Sequence, residues 1–209
     1  MWKIAAVVIV LSVICLASKQ FVMPKPQPAS SYPAHDSHPN EKVAIAADPY
    51  DMADKANIFS THFNEEGFMP IFVVVTNDGD QPVSLTDMQA QLITVNRSKI
   101  PSATLDDIQR RLAHPSASAS RSPLPFPTKK VKGGLKKETL EEIQSSQFGA
   151  KAVEPHSSQA GFMFFDVSGI STPLAGANLY VTGIKDAQGN ELMYFEVPME
   201  KYLSAPSPR

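Results

Sequence analysis

Phe68-Met69-Pro70-Ile71-Phe72-Val73-Val74-Val75-Thr76 runs straight into Asn77-Asp78-Gly79-Asp80. The run is almost wholly apolar and rich in β-branched and aromatic residues. That composition predicts a strand covered on both faces. Pro70 stands near its start, where a missing donor is tolerated. Asn, Asp and Gly accept turn geometry at low cost, so the tetrapeptide predicts a hairpin, with Pro82-Val83-Ser84-Leu85 opening the returning strand.

Further strands are expected on both sides. Ala56 to Phe63 reads as a first strand, ended by the turn Asn64-Glu65-Glu66-Gly67. Met88 to Val95 reads as another, ended by Asn96-Arg97-Ser98. That tripeptide also fits a glycosylation acceptor, but so loose a pattern is read here as a turn. Gly161 to Val167, Leu179 to Ile184 and Leu192 to Val197 complete the set. The last two flank Asp186-Ala187-Gln188-Gly189-Asn190, a hairpin loop with glycine where a type I turn plus bulge requires it.

Two helices interrupt the strands. Thr104 is an N-cap for a helix to about Ala113, with Asp106 and Asp107 at the positive end of its dipole. Thr139-Leu140-Glu141-Glu142 matches a capping box and opens a helix to about Gln147. Short strands with turn-rich connections, and no βαβ alternation, predict a mainly β chain. The expected fold is an antiparallel β-sandwich over 48–203, with a short helical, Pro/Ser/Lys-rich insertion at about 104–147.

The chain has 209 residues, enough for one domain plus tails. Hydrophobic residues make up 43% and charged residues 19%, a composition that can bury a sizeable core. The net charge of −2 argues against a general nucleic-acid binder. A single cysteine excludes an internal disulfide and a four-cysteine zinc site. Pro24, Pro26, Pro28, Pro33 and Pro39 recur between polar residues, so 18–47 is expected as an extended, proline-rich linker. The tail 204–209 is expected to be disordered, with Tyr202 and Leu203 docking just before it.

Met1-Trp2-Lys3 precedes an apolar run from Ile4 to Ala17 broken only by Ser12. One positive charge and about 14 apolar residues suit a secretory signal and fall short of the ~20 that cross a bilayer. Cys15-Leu16-Ala17 offers a small-residue cleavage site. Residues 1–17 are therefore expected as a signal peptide, with an uncleaved anchor as the alternative. Lipidation at Cys15 is disfavoured by bulky Ile14 before it. The protein is expected to be exported, to the periplasm or beyond the cell, or held at the membrane by this segment.

The stretch Val73 to Leu85 resembles the early hairpin of immunoglobulin-like domains in exported, uncharacterised bacterial proteins. Gly161 to Val167 resembles the strand such domains place near their end, and Asn190 to Pro198 resembles their closing strand. The match covers about half of the expected domain, and its motifs are structural. The resemblance implies fold and export. It brings no catalytic motif.

No phosphate-binding glycine loop, nucleophile elbow or His-Glu-x-x-His helix occurs, so no catalytic, cofactor or metal residue is assigned. His35-Asp36-Ser37-His38 holds metal-type groups, but in the expected linker nothing fixes their geometry. His62 and His156 are read as strand-end residues. Asp48, Asp51 and Asp54 lack the spacing of a calcium loop. Phe162, Phe164, Phe165, Tyr194 and Phe195 are read as core.

The basic stretch is the one candidate contact. Arg121, Lys129, Lys130, Lys132, Lys136 and Lys137 occur with no carboxylate between them. Such a segment suits anionic lipid headgroups or another acidic envelope polymer. Scarce aromatics argue against nucleic acid. The function expected is a non-enzymatic protein–protein interaction module whose partner is another envelope protein. A membrane-anchored accessory subunit, and a hydrolase whose residues converge only in the fold, are the alternatives.

Overall fold

A computed structural model describes residues 21–113 and 135–205. The chain is mainly β, with antiparallel sheets and a few short helices. One sheet holds β1 (His35–His38), β2 (Val43–Pro49), β3 (Phe68–Asn77) and β8 (Ser157–Asp166), in that order. A second holds β10 (Phe195–Pro198), β9 (Asn178–Thr182), β5 (Gln89–Ile93) and β6 (Lys99–Pro101). β4 (Val83–Ser84) and β7 (Ala152–Val153) form a small third pair.

All ten residues of β3 are buried. Alternation along the strand sends its side chains into two separate cores. Met69, Ile71, Val73 and Val75 meet Leu92, Leu179, Val181, Phe195 and Val197 of the second sheet. Phe68, Phe72 and Val74 point the other way, into an aromatic cluster. There Phe59, Phe63, Phe162 and Phe164 pack with Ile108 of α2 (Leu105–Ala113) and Ile143 of α3 (Lys137–Ser146). The layers are thus helices and loops, the β3 sheet, and the β9 sheet. The helices cover a sheet face rather than capping one end.

The sheets are stitched at both sides. At one, Asp36 and Glu41 accept the backbone N–H groups of Glu196 (2.9 Å) and Met193 (3.2 Å), which covers the open edge of the β10 side. At the other, Ala103 donates to the Phe164 carbonyl (2.7 Å) and Phe148 to the Phe162 carbonyl (3.0 Å), so outlying chain occupies the outer edge of β8. Gly161 lets that chain approach: a Cβ there would lie 2.4 Å from the Phe148 Cα.

Four expectations need correction. The stretch 18–47 is no linker throughout, because β1 and most of β2 lie in it and Val43, Ala44, Ile45, Ala46 and Ala47 are buried. Its prolines all fall outside those strands. Ala56 to Phe63 is not a strand: α1 (Ala53–Ala56) leads into turns that aim Phe59 and Phe63, four residues apart, at the sheet. β3 forms no hairpin with β4. Both β3 edges are already taken, by β2 and β8, and Asn77 instead closes a side-chain turn. Its Oδ1 accepts the Gly79 N–H (2.9 Å) and its Nδ2 donates to the carbonyls of Gln81 (2.8 Å) and Val153 (3.1 Å). The capping box at Thr139 does not form, since α3 starts earlier and Glu142 is engaged elsewhere.

Candidate functional site

Among the described residues, two neighbouring large hydrophobic side chains, Met193 and Tyr194, are exposed by the β9–β10 hairpin, on the outer side of the second sheet. Leu179 and Val181 point inward, so Tyr180 points out. Its ring stacks on Tyr194, with centroids 4.7 Å apart and planes at 28°. Tyr194 is 46% exposed and Met193 beside it 65%. Tyr194 therefore leaves the core assigned to it from sequence, while Phe162, Phe164, Phe165 and Phe195 stay buried. The hairpin is held rigidly. Gly189 adopts φ +87°, its N–H donates to the Asp186 carbonyl (3.0 Å), and Asp186 accepts from the N–H groups of Gln188 and Asn190. Those bonds hold the exposed Asp186 carboxyl below the ordinary carboxylate value, with the Asn190 side-chain bond the largest cause.

His38 anchors the same corner from β1. Its ring stacks on Phe195 at 3.9 Å, Nδ1 lies 2.7 Å from Glu41 Oε2, and Nε2 lies 3.4 Å from Asp36 Oδ2. The His-Asp-Ser-His motif is thus a strand that clips two sheets together. His35 Nδ1 is bonded to the Tyr32 carbonyl (2.6 Å). Among the described residues no group of three or more His, Cys, Asp or Glu side chains could hold a metal ion.

The three spaced aspartates are divided among separate tasks. Asp48 lies 2.5 Å from Lys55 Nζ, and Asp51 accepts the Tyr202 hydroxyl (2.6 Å). Asp54 sits in the first turn of α1. Lys55 is held between the rings of Tyr50 and Tyr202, 4.9 Å from each centroid. Burial raises the Asp48 carboxyl despite Lys55, and raises the Tyr50 hydroxyl to about 12. The last helix, α4 (Glu200–Leu203), is thereby fastened to α1.

His62 lines a recess of about 240 Å³ with Asp51, Thr61 and Glu65. Its Nδ1 is 3.9 Å from Glu65 Oε1, and both side chains are more than three-quarters exposed. The neighbouring Thr61 hydroxyl is committed to Glu142 Oε2 (2.5 Å). His156 pairs with Asp80 (3.2 Å), also in solvent. Neither pair is desolvated or aimed at a nucleophile. Among the described residues no buried side-chain nitrogen or oxygen lacks a partner.

Of the basic candidates, Arg121, Lys129, Lys130 and Lys132 lie outside the described residues. Lys136 and Lys137 are exposed at the start of α3, where Lys137 pairs with Glu141 at 3.2 Å. The apolar run 4–17 also lies outside. Among the described residues no helix is long and apolar enough to cross a membrane. Sequence reasoning missed the Tyr180–Tyr194 pair, although two outward tyrosines on hairpin strands are a readable signal.

No family model matches the chain, and no curated protein matches it. A crystal structure of a conserved hypothetical protein from Bacillus anthracis is similar over 78% of this chain and 95% of that one. The identity is 12% and the TM-score 0.33, a likeness that assigns neither fold nor function.

Proposed function

We propose that the protein is an exported cell-envelope module of immunoglobulin-like type that acts by binding another envelope protein. Two antiparallel four-stranded sheets around a shared core support the fold reading. The observation that carries the binding reading is the stacked Tyr180–Tyr194 pair with Met193 exposed beside it. Rigid tyrosines give large contact area at low entropic cost and are enriched at interfaces. Strand addition is the less favoured route, because the edges near β1, β10 and β8 are occupied by side chains or crossing backbone.

The test is a photo-cross-linking amino acid placed at Tyr194 in cells, with Asn96, exposed in the β5–β6 turn at the opposite end of the second sheet, as control. A reproducible adduct from position 194 alone, lost on Met193→Asp, is the expected result. Equal or absent labelling at both positions ends the reading.

A second reading is favoured by one observation. Val22 is 74% exposed where the chain leaves the fold toward the apolar run, while Phe21 beside it stacks on Phe59 at 5.3 Å. A hydrophobic residue held at that exit suits a membrane-anchored accessory subunit.

A further inference from the structure

We propose that the chain is held by its N-terminal run with the helix-covered face of the β3 sheet flat against lipid headgroups, so that the Tyr180–Tyr194 face points away from the membrane. The inference rests on the membrane-anchored reading and adds to it an orientation and a contact surface.

The argument is one of length. Phe21 belongs to the folded body: its ring is parallel to Phe59 (8°) and meets Phe162 edge-on at 6.2 Å. Met23 packs in the same cluster. Only Ser18, Lys19 and Gln20 separate Phe21 from the end of the apolar run. From Ala17 to Phe21 the chain spans at most about 14 Å. Headgroups take about 5–7 Å of that. A helix made of the run is about 21 Å long against ~30 Å of hydrocarbon, so no slack is gained inside the bilayer.

A body of this size has a radius of gyration near 15 Å and is about 40 Å across. A tether much shorter than the body fixes which face lies down. Phe21 enters the aromatic cluster, and that cluster is roofed by Ile108 of α2 and Ile143 of α3, with Leu135 packed at its margin. The membrane-proximal layer is therefore the helix layer, and the second sheet is the distal one.

Among the described residues of this layer, charge is not what drives the contact. Lys136 and Lys137 on this layer are matched by Glu138, Glu141 and Asp106. The tether and exposed Val22 carry it. The arrangement replaces a long proline spacer with close mooring, and it leaves the tyrosine face free for a partner.

The test uses full-length protein carrying Cys15→Ser, purified from membranes and reconstituted in phosphatidylcholine vesicles with a headgroup-linked nitroxide quencher. One fluorophore is attached at Glu138→Cys on α3, or at Gln89→Cys on the outer sheet, both exposed positions. Quenching several-fold stronger at 138 is expected, and a ten-residue Gly/Ser insertion between Gln20 and Phe21 should erase the difference. Equal quenching without the insertion, or stronger quenching at 89, overturns the orientation alone. Mass spectrometry of the cellular protein tests the anchor separately: a chain found only without Met1 removes the anchor, and the orientation falls with it.

Discussion

Arg111 shows how a single side chain ties distant pieces of this fold. Its guanidinium lies over the Phe68 ring (5.3 Å), pairs with Asp166, and donates to Ser168 Oγ (2.9 Å). The end of α2 is thereby fixed to the end of β8. Burial raises the Asp166 carboxyl, but bonds from Ser168 and the charge of Arg111 outweigh it and hold the group below its ordinary value. A depressed carboxyl adds stability that is present above the unfolded value near 4 and is lost as pH falls through the folded one. Asp48 works in the opposite sense, since burial raises it and protonation relieves it. Asp166→Asn should therefore be less stable than wild type at pH 7, by about 1 kcal/mol or less for a partly exposed pair. That gap should narrow as pH falls below about 4 and the carboxyl takes up its proton. Urea midpoints at three pH values measure it, and a gap independent of pH would refute the assignment.

Helix α3 is tied to the turns between α1 and β3 by one carboxylate more than by its own sequence. Glu142 is buried, and its oxygens accept the N–H groups of Ser60 (2.5 Å) and Thr61 (2.9 Å) and the Thr61 hydroxyl. This explains why the capping box read at Thr139 fails: the residue that would cap is bonded 81 positions away in the chain. By contrast, α2 was legible in full, because its cap is local. The Thr104 hydroxyl donates to Asp107 Oδ2 (2.6 Å) and the Asp107 N–H donates back (3.2 Å). The β9–β10 hairpin was legible for the same reason. Glu142→Ala should cost about 3 kcal/mol, since buried donors lose a charged acceptor, and Glu142→Gln about half of that. Hydrogen exchange at Ser60 and Thr61 reads the effect directly. Unchanged protection of those two amides in the alanine variant would show that they have another anchor.

At the scale of the whole molecule, what the sequence hid was which strands meet. β3 announced itself through a solid apolar run, yet nothing in that run says that remote chain fills both its edges. The proline spacing argues against helix, and over 21–47 the described chain holds only the short 3-10 turn Ala29–Ser31, but that spacing could not exclude strands between the prolines. Val43-Ala44-Ile45-Ala46-Ala47 is apolar and proline-free, and its small side chains disguise it as linker. The candidate contact face was hidden more deeply, since Tyr180 and Tyr194 become neighbours only through the hairpin register that pairs Phe195 with Val181. These facts set a sharp contrast between two truncations. A chain beginning at Phe21 keeps every described strand and should melt cooperatively. A chain beginning at Asp48 loses β1 and nearly all of β2. That strips Ile45, Ala46 and their neighbours from both cores and leaves the ten-residue, fully buried β3 with an open edge. It also removes the Asp36 and Glu41 caps on the β10 side. It should aggregate or lack a thermal transition. A soluble, cooperatively melting chain from Asp48 would mean that the first thirty residues after the apolar run are dispensable, and would restore the linker.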